Sequence, residues 1–259
     1  MMPVFFKELR RNRLLIIIWS AASAFMLAVS LLIFPLLVSQ LGSLAEMNEM
    51  LSAFGEDASS FMDYTGYFAS EIVSVLGIGG AIFAALVGIN ALSREEREHT
   101  AEFLLTHPVP RSRVVLEKLL SVIVAVFVLN AISALLSAAV SAAIGEKAEA
   151  GAIALTFLAH FILHIEIAAM TFMLSAFMSR GAVAAGLGVA FGTYVLYLIA
   201  NIADKLRPLK YITPFGYAES GYIVANRAIH AGYLAVGLAI TAVCIVLAFV
   251  RFCKKDILS

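Results

Sequence analysis

Charge is what this sequence has least of. Only 14% of its 259 residues are Asp, Glu, Lys or Arg, 62% are apolar, and the mean hydropathy is +0.96. That balance excludes a soluble domain of this length, which would carry about 25% charged residues. Cysteine is nearly absent. Cys244 and Cys253 are the only two, and nine residues of helix would hold them about 13 Å apart, too far for a disulfide. Both are expected as free thiols. Catalytic signatures are missing too: there is no G-x-x-x-x-G-K-[ST] phosphate loop, no G-x-S-x-G and no H-E-x-x-H. Nothing resembles a nucleotide-binding fold or a nucleophile–base arrangement.

What is present is a series of long apolar runs. Reading between charged residues gives six, at 14–38, 72–92, 119–145, 151–179, 181–203 and 231–250, each near or above the roughly 20 residues that span a bilayer. They take up most of residues 1–259 and leave no room for a separate soluble domain. Their glycine and small-residue content favours helices, because a barrel would need short alternating strands. The expectation is an all-α membrane protein with six transmembrane helices. With the N-terminus placed in the cytoplasm, thirteen Lys and Arg fall on the inner face and five on the outer, so both termini are expected inside. Four of the outer five, Lys205, Arg207, Lys210 and Arg227, lie in one loop against that rule.

Between the runs, three segments have character. Pro3, Phe5, Phe6 and Leu9 among Lys7, Arg10, Arg11 and Arg13 suit an N-terminal interfacial helix meeting anionic lipid. Leu44, Met47, Met50, Leu51 and Phe54 recur at helical spacing and predict a small amphipathic helix in the first outer loop. Residues 204–230, with Pro208, Pro214 and Gly216, predict a re-entrant or interfacial helix pair before the last span. Small residues recur four apart at Gly80, Ala84 and Gly88, at Ser133, Ser137 and Ser141, and at Gly181 and Ala185, extended by Gly188 and Gly192. Such stripes let helices approach closely.

The scarce charge is concentrated in one place. The island Ser93–Lys118 holds ten of the 36 charged residues. Ser93 and Thr100 are possible N-caps. After Thr100, Ala101, Leu104 and Leu105 share a face, and Pro108 and Pro110 forbid continuation. Arg111, Arg113 and Lys118 read as anchors at the entry to the third span. This pattern describes a short, proline-stopped helix projecting from the membrane.

Glu95-Glu96, Thr100 to Leu105, Pro108-Val109, Arg111 and Lys118 resemble the cytoplasmic loop of type-2 ABC-transporter permeases, with His99 where that family usually has glycine. The resemblance extends along nearly the whole chain, through Tyr211 to Phe215 and the tail at Lys254, Lys255 and Asp256. It implies the membrane-spanning permease subunit of an ATP-binding-cassette exporter, a dimer with no enzyme role of its own, multi-pass in a prokaryotic plasma membrane. Glu95, Glu96, Thr100, Glu102, Phe103, Leu104, Leu105 and Pro108 would form the coupling helix docking on a nucleotide-binding subunit. That ABC ATPase would bind ATP and Mg²⁺, leaving this chain without a cofactor of its own. A second permease copy or a related permease would complete the assembly in the lipid bilayer, with no nucleic acid involved.

One charged residue interrupts a run. Glu166 lies near the middle of 151–179, with His160 and His164 one to two turns earlier. An acid at that depth is costly and points to function. With Met170 and Met173 it could line a substrate path, or it could hydrogen-bond a neighbouring helix. A metal site fits poorly, because Glu166 lies about 200° round the helix from His164. An intramembrane enzyme using Glu166 and His160/His164, and a non-transporting membrane scaffold, remain the alternatives.

Overall fold

The computed structural model describes residues 2–40, 63–97, 110–178 and 182–254. Among them there is no strand. The elements are α1 (Pro3–Gln40), α2 (Tyr64–Ile72), a π-helical turn (Val73–Gly77), α3 (Ile78–Arg97), α4 (Arg111–Ile144), α5 (Ala150–Phe177), α6 (Ala182–Ile202), α7 (Ser220–Asn226) and α8 (Ala231–Lys254). Six stretches are long and apolar enough to cross a membrane, one each from α1, α4, α5, α6 and α8 and one continuous from α2 through α3. Helices close their own backbone hydrogen bonds, which hydrocarbon requires of any spanning segment. The predicted amphipathic helix at Leu44 to Phe54 lies outside the described residues.

The basic N-terminal segment is not a separate interfacial helix. It forms the first turns of α1, a 38-residue helix about 57 Å long, nearly twice the hydrocarbon thickness. No residue from Val4 to Leu14 breaks a helix, so the propensity that starts at Pro3 carries straight into the apolar run. Phe6, Lys7, Arg10, Arg13 and Leu14 stay exposed. Ser93 likewise caps nothing: it is buried within α3, its hydroxyl donating to the Ile89 carbonyl at 2.6 Å.

α5 and the α2–α3 span form the centre of the bundle. Their apolar windows are 56% and 61% buried, against 17% for α6 and α8 at the rim. α1 packs along α4, α3 along α5, α8 on α5 and α6 on α3. Two glycines set the α3–α5 distance. A Cβ on Gly80 would collide with the His164 ring, and one on Gly88 would stand 2.6 Å from the Ala168 carbonyl oxygen. The stripe on α6 behaves differently. Gly186 faces Ile89, whereas Gly188 and Gly192 face open space.

Between α6 and α8 the chain makes two short 3-10 segments, Asp204–Tyr211 and Pro214–Gly216, before α7. Residues 213 to 218 are all buried, and Thr213 donates to the Thr193 carbonyl at 2.7 Å. The loop therefore dips into the bundle. Two of its basic residues, which run against the charge asymmetry, are paired there. Lys210 bonds Glu219 at 2.8 Å, and Arg227 forms an ion pair with Glu149. The left-handed backbone of Arg227 (φ 53°) closes the C-terminus of α7.

Gly88→Val should lower unfolding stability in detergent by about 1–3 kcal/mol, because the added side chain meets the Thr171 hydroxyl and, behind it, the backbone at Ala168 and Phe172. Gly188→Val, at the exposed rim, should change it by less than about 0.5 kcal/mol.

Candidate functional site

The two ends of the charged island are where buried charge gathers. α3 ends at Arg97 and α4 begins at Arg111. Thr100, Glu102, Phe103, Leu104, Leu105 and Pro108 lie outside the described residues, as do the side chains of Glu95 and Glu96 in the last turn of α3. The flanks are well defined. Lys118 does not reach out as an anchor: it is fully buried, with its ammonium on Glu8 Oε1 at 3.0 Å and on the Ala91 carbonyl at 2.6 Å. Glu8, itself 2% exposed, also holds Arg11 at 2.6 Å.

Glu117 completes the arrangement. One carboxylate oxygen accepts the N–H groups of Val4 and Phe5 at 2.9 and 3.2 Å, and the other accepts Arg113 Nε at 3.0 Å. A helix N-terminus presents unpaired N–H groups and the positive end of its dipole, so a carboxylate is the matching cap. Here the cap of α1 comes from α4. The start of α1, the end of α3 and the start of α4 are thus one hydrogen-bonded joint. Charge-assisted bonds to several partners make its members tolerable away from water.

A second polar centre lies in mid-bundle. Glu166 is 1% exposed, and its Oε2 accepts the Tyr217 hydroxyl at 2.8 Å. It faces α8, where a Cβ on Gly237 would collide with the carboxylate. Met170 and Met173 are partly buried, and Met173 packs on the apolar core. The histidines are engaged elsewhere. His160 and His164 lie 6.2 Å apart by ring centroids. His164 Nε2 bonds the Leu76 carbonyl in the π-turn at 2.9 Å, its Nδ1 meets Asn130 Nδ2 at 3.1 Å, and His160 Nδ1 bonds the Thr156 carbonyl at 2.8 Å. Glu166 bonds neither ring, so the three do not form one catalytic constellation.

The chain with these six spanning helices matches a family model, described as ABC-2 family transporter protein, over residues 2–257. The chain belongs to the ABC-2 transporter family. No individual curated protein matches it. As an ABC-2 protein it is a multi-pass membrane permease subunit of an ABC transporter.

Several residues that organise this ABC-2 subunit went unmarked in its sequence, although signals were there. Glu8 is the sole acid before Glu46, in a segment otherwise basic and apolar. Asn130 interrupts an apolar run as Glu166 does. Tyr217 carried no signal, since only the inward dip of its loop brings it to Glu166.

Lys118→Met should cost roughly 3 kcal/mol of stability, because it leaves the buried Glu8 carboxylate with Arg11 as its remaining ion pair of the two described. Adding Glu8→Leu should recover part of that loss, as read by unfolding in detergent. Tyr217→Phe, which leaves the Glu166 carboxylate without its donor, should cost about 1–3 kcal/mol.

Proposed function

We propose that this subunit supplies the membrane path of an ATP-driven exporter whose power stroke comes from a separate nucleotide-binding subunit. In this reading both termini and the 93–118 island face the cytoplasm, in line with the thirteen-to-five bias in Lys and Arg. The ATPase docks on Thr100 to Leu105 and binds ATP and Mg²⁺, and a second permease copy or a relative completes the path. Export follows from the resemblance, since exporters predominate among the permeases with this loop.

The observation that carries the reading is the joint of Glu8, Glu117 and Lys118. It ties both flanks of the docking segment to α1, so a push on that segment would reach α1, α3 and α4 together. Transmission of this kind needs a stiff element and a packed, bistable bundle behind it. A substrate path past Glu166, Met170 and Met173 would require the Glu166–Tyr217 bond to open during the cycle. That makes the pair a gate within the path rather than its resting lining.

The full chain, purified in mild detergent from its own host, should carry a soluble ATPase with it. Leu104→Arg or Leu105→Arg should release that ATPase while the permease stays folded. Isolation of the chain alone, with both substitutions silent, would refute the assignment.

A further inference from the structure

At the end of the bundle away from the Lys118 joint, α4 and α5 part to leave a groove floored by α2. Its volume is about 730 Å³, within the range of about 300–1,000 Å³ that ligand sites occupy. The walls are alanines, Ala134, Ala138 and Ala142 on α4 with Ala150 and Ala154 on α5. Larger neighbours on the same helices, Leu135 and Leu158, stand out at 72% and 47% exposure. Phe68 of α2 and Phe157 of α5 line the groove too, edge to face with ring centroids 6.3 Å apart.

The mouth of the groove is the polar connection between α4 and α5, where Gly145, Glu146 and Lys147 line it. Ala134 lies three turns before Gly145, about 16 Å deeper along α4. Half of a hydrocarbon core of roughly 30 Å is about 15 Å. The groove therefore runs from headgroup level to the depth that the chains of one leaflet reach. Ala138, Ala142 and Ala154 are exposed, so it opens sideways, toward lipid.

Two properties select the occupant. An ion or a sugar would give up its hydration against apolar walls, whereas an acyl chain gains contact along them. At the mouth an acid and a base stand side by side. Among the described residues neither Glu146 nor Lys147 forms an ion pair, while nearby Glu149 is taken by Arg227. A lysine ammonium suits a phosphate, and a carboxylate suits a primary ammonium that can donate hydrogen bonds to it. A phospholipid head carrying both groups matches this pair. One with a net negative charge would meet Glu146 unfavourably, and a quaternary ammonium has no hydrogen to donate.

We propose that this groove is a binding site for one phosphatidylethanolamine molecule. An acyl chain lies along Ala134 to Ala142, the phosphate meets Lys147 and the ammonium meets Glu146. The lipid comes from the leaflet opposite the 93–118 island, because α4 runs from that island to the mouth. Bound there, it supplies the packing that α4 and α5 do not give each other at this level. The site is independent of the ATPase partner and of the direction of transport.

The test exchanges the full chain into detergent holding phosphatidylethanolamine, phosphatidylcholine and phosphatidylglycerol in equal amounts, and reads retained lipid by native mass spectrometry. Phosphatidylethanolamine should be retained about tenfold over the other two, the worth of a hydrogen bond to a charged group. Ala138→Phe fills the groove from a lipid-facing position and should cut retention at least about tenfold, since it displaces several methylenes. Ala139→Phe, exposed outside the groove, should leave retention unchanged. Glu146→Gln should bring phosphatidylethanolamine down to the level of phosphatidylcholine. No retained lipid would overturn the site, which is also the result if a second copy or residues 41–62 hold the groove. Equal loss in Ala138→Phe and Ala139→Phe would overturn it, as would a preference for phosphatidylethanolamine that survives Glu146→Gln.

Discussion

Lys118 holds its ammonium where no water reaches it, and three helix ends converge to make that possible. A bare buried cation would be expelled or neutralised, so Glu8 must come from α1 and the Ala91 carbonyl from α3. Glu117, next in sequence, then closes the first turn of α1. Because Lys118 bonds across to α1 and α3, and Glu117 to the start of α1, moving any one of the three helix ends breaks bonds to another. The flanks of the 98–109 segment are thereby held in one geometry, which is what the proposed transmission of force depends on.

The middle of the bundle solves the same problem with weaker means. Its polar groups, Glu166 apart, are histidines, amides and hydroxyls, and most bond to backbone carbonyls of their own or the facing helix. Glycines at 80, 88 and 237 let those groups reach across without clash. The π-turn at Val73–Gly77 offers the Leu76 carbonyl to His164. Polar contacts in a membrane interior add modest stability and strong geometric preference, so this core is specified more by who can bond whom than by apolar burial.

Much of the architecture was legible in the sequence, because the features involved are local. Apolar run length reports a span, and the stripe at Gly80, Ala84 and Gly88 reports a close contact. Pro110 and Gly145 mark the two ends of α4. Other features misled for an equally physical reason. The N-terminal segment has the composition of an interfacial helix, but nothing stops its helix from continuing into the span. Gly188 and Gly192 repeat at the same spacing as Gly80 and Gly88, yet spacing does not reveal which face meets a neighbour. Lys118 reads as an anchor until Glu8, more than a hundred residues away, is brought to it.

The sequence by itself determined that this is an all-α membrane protein of six spans, its charge gathered in one island, with a resemblance that named its family. Those properties follow from local composition and from motifs in order. Only the tertiary structure decided which polar groups find partners: Glu8 with Lys118, Glu117 with the start of α1, Glu166 with Tyr217, and His164 with Leu76. Each pair joins residues far apart in the chain. A buried polar group is selected by what lies opposite it in space, and no window of sequence contains that information.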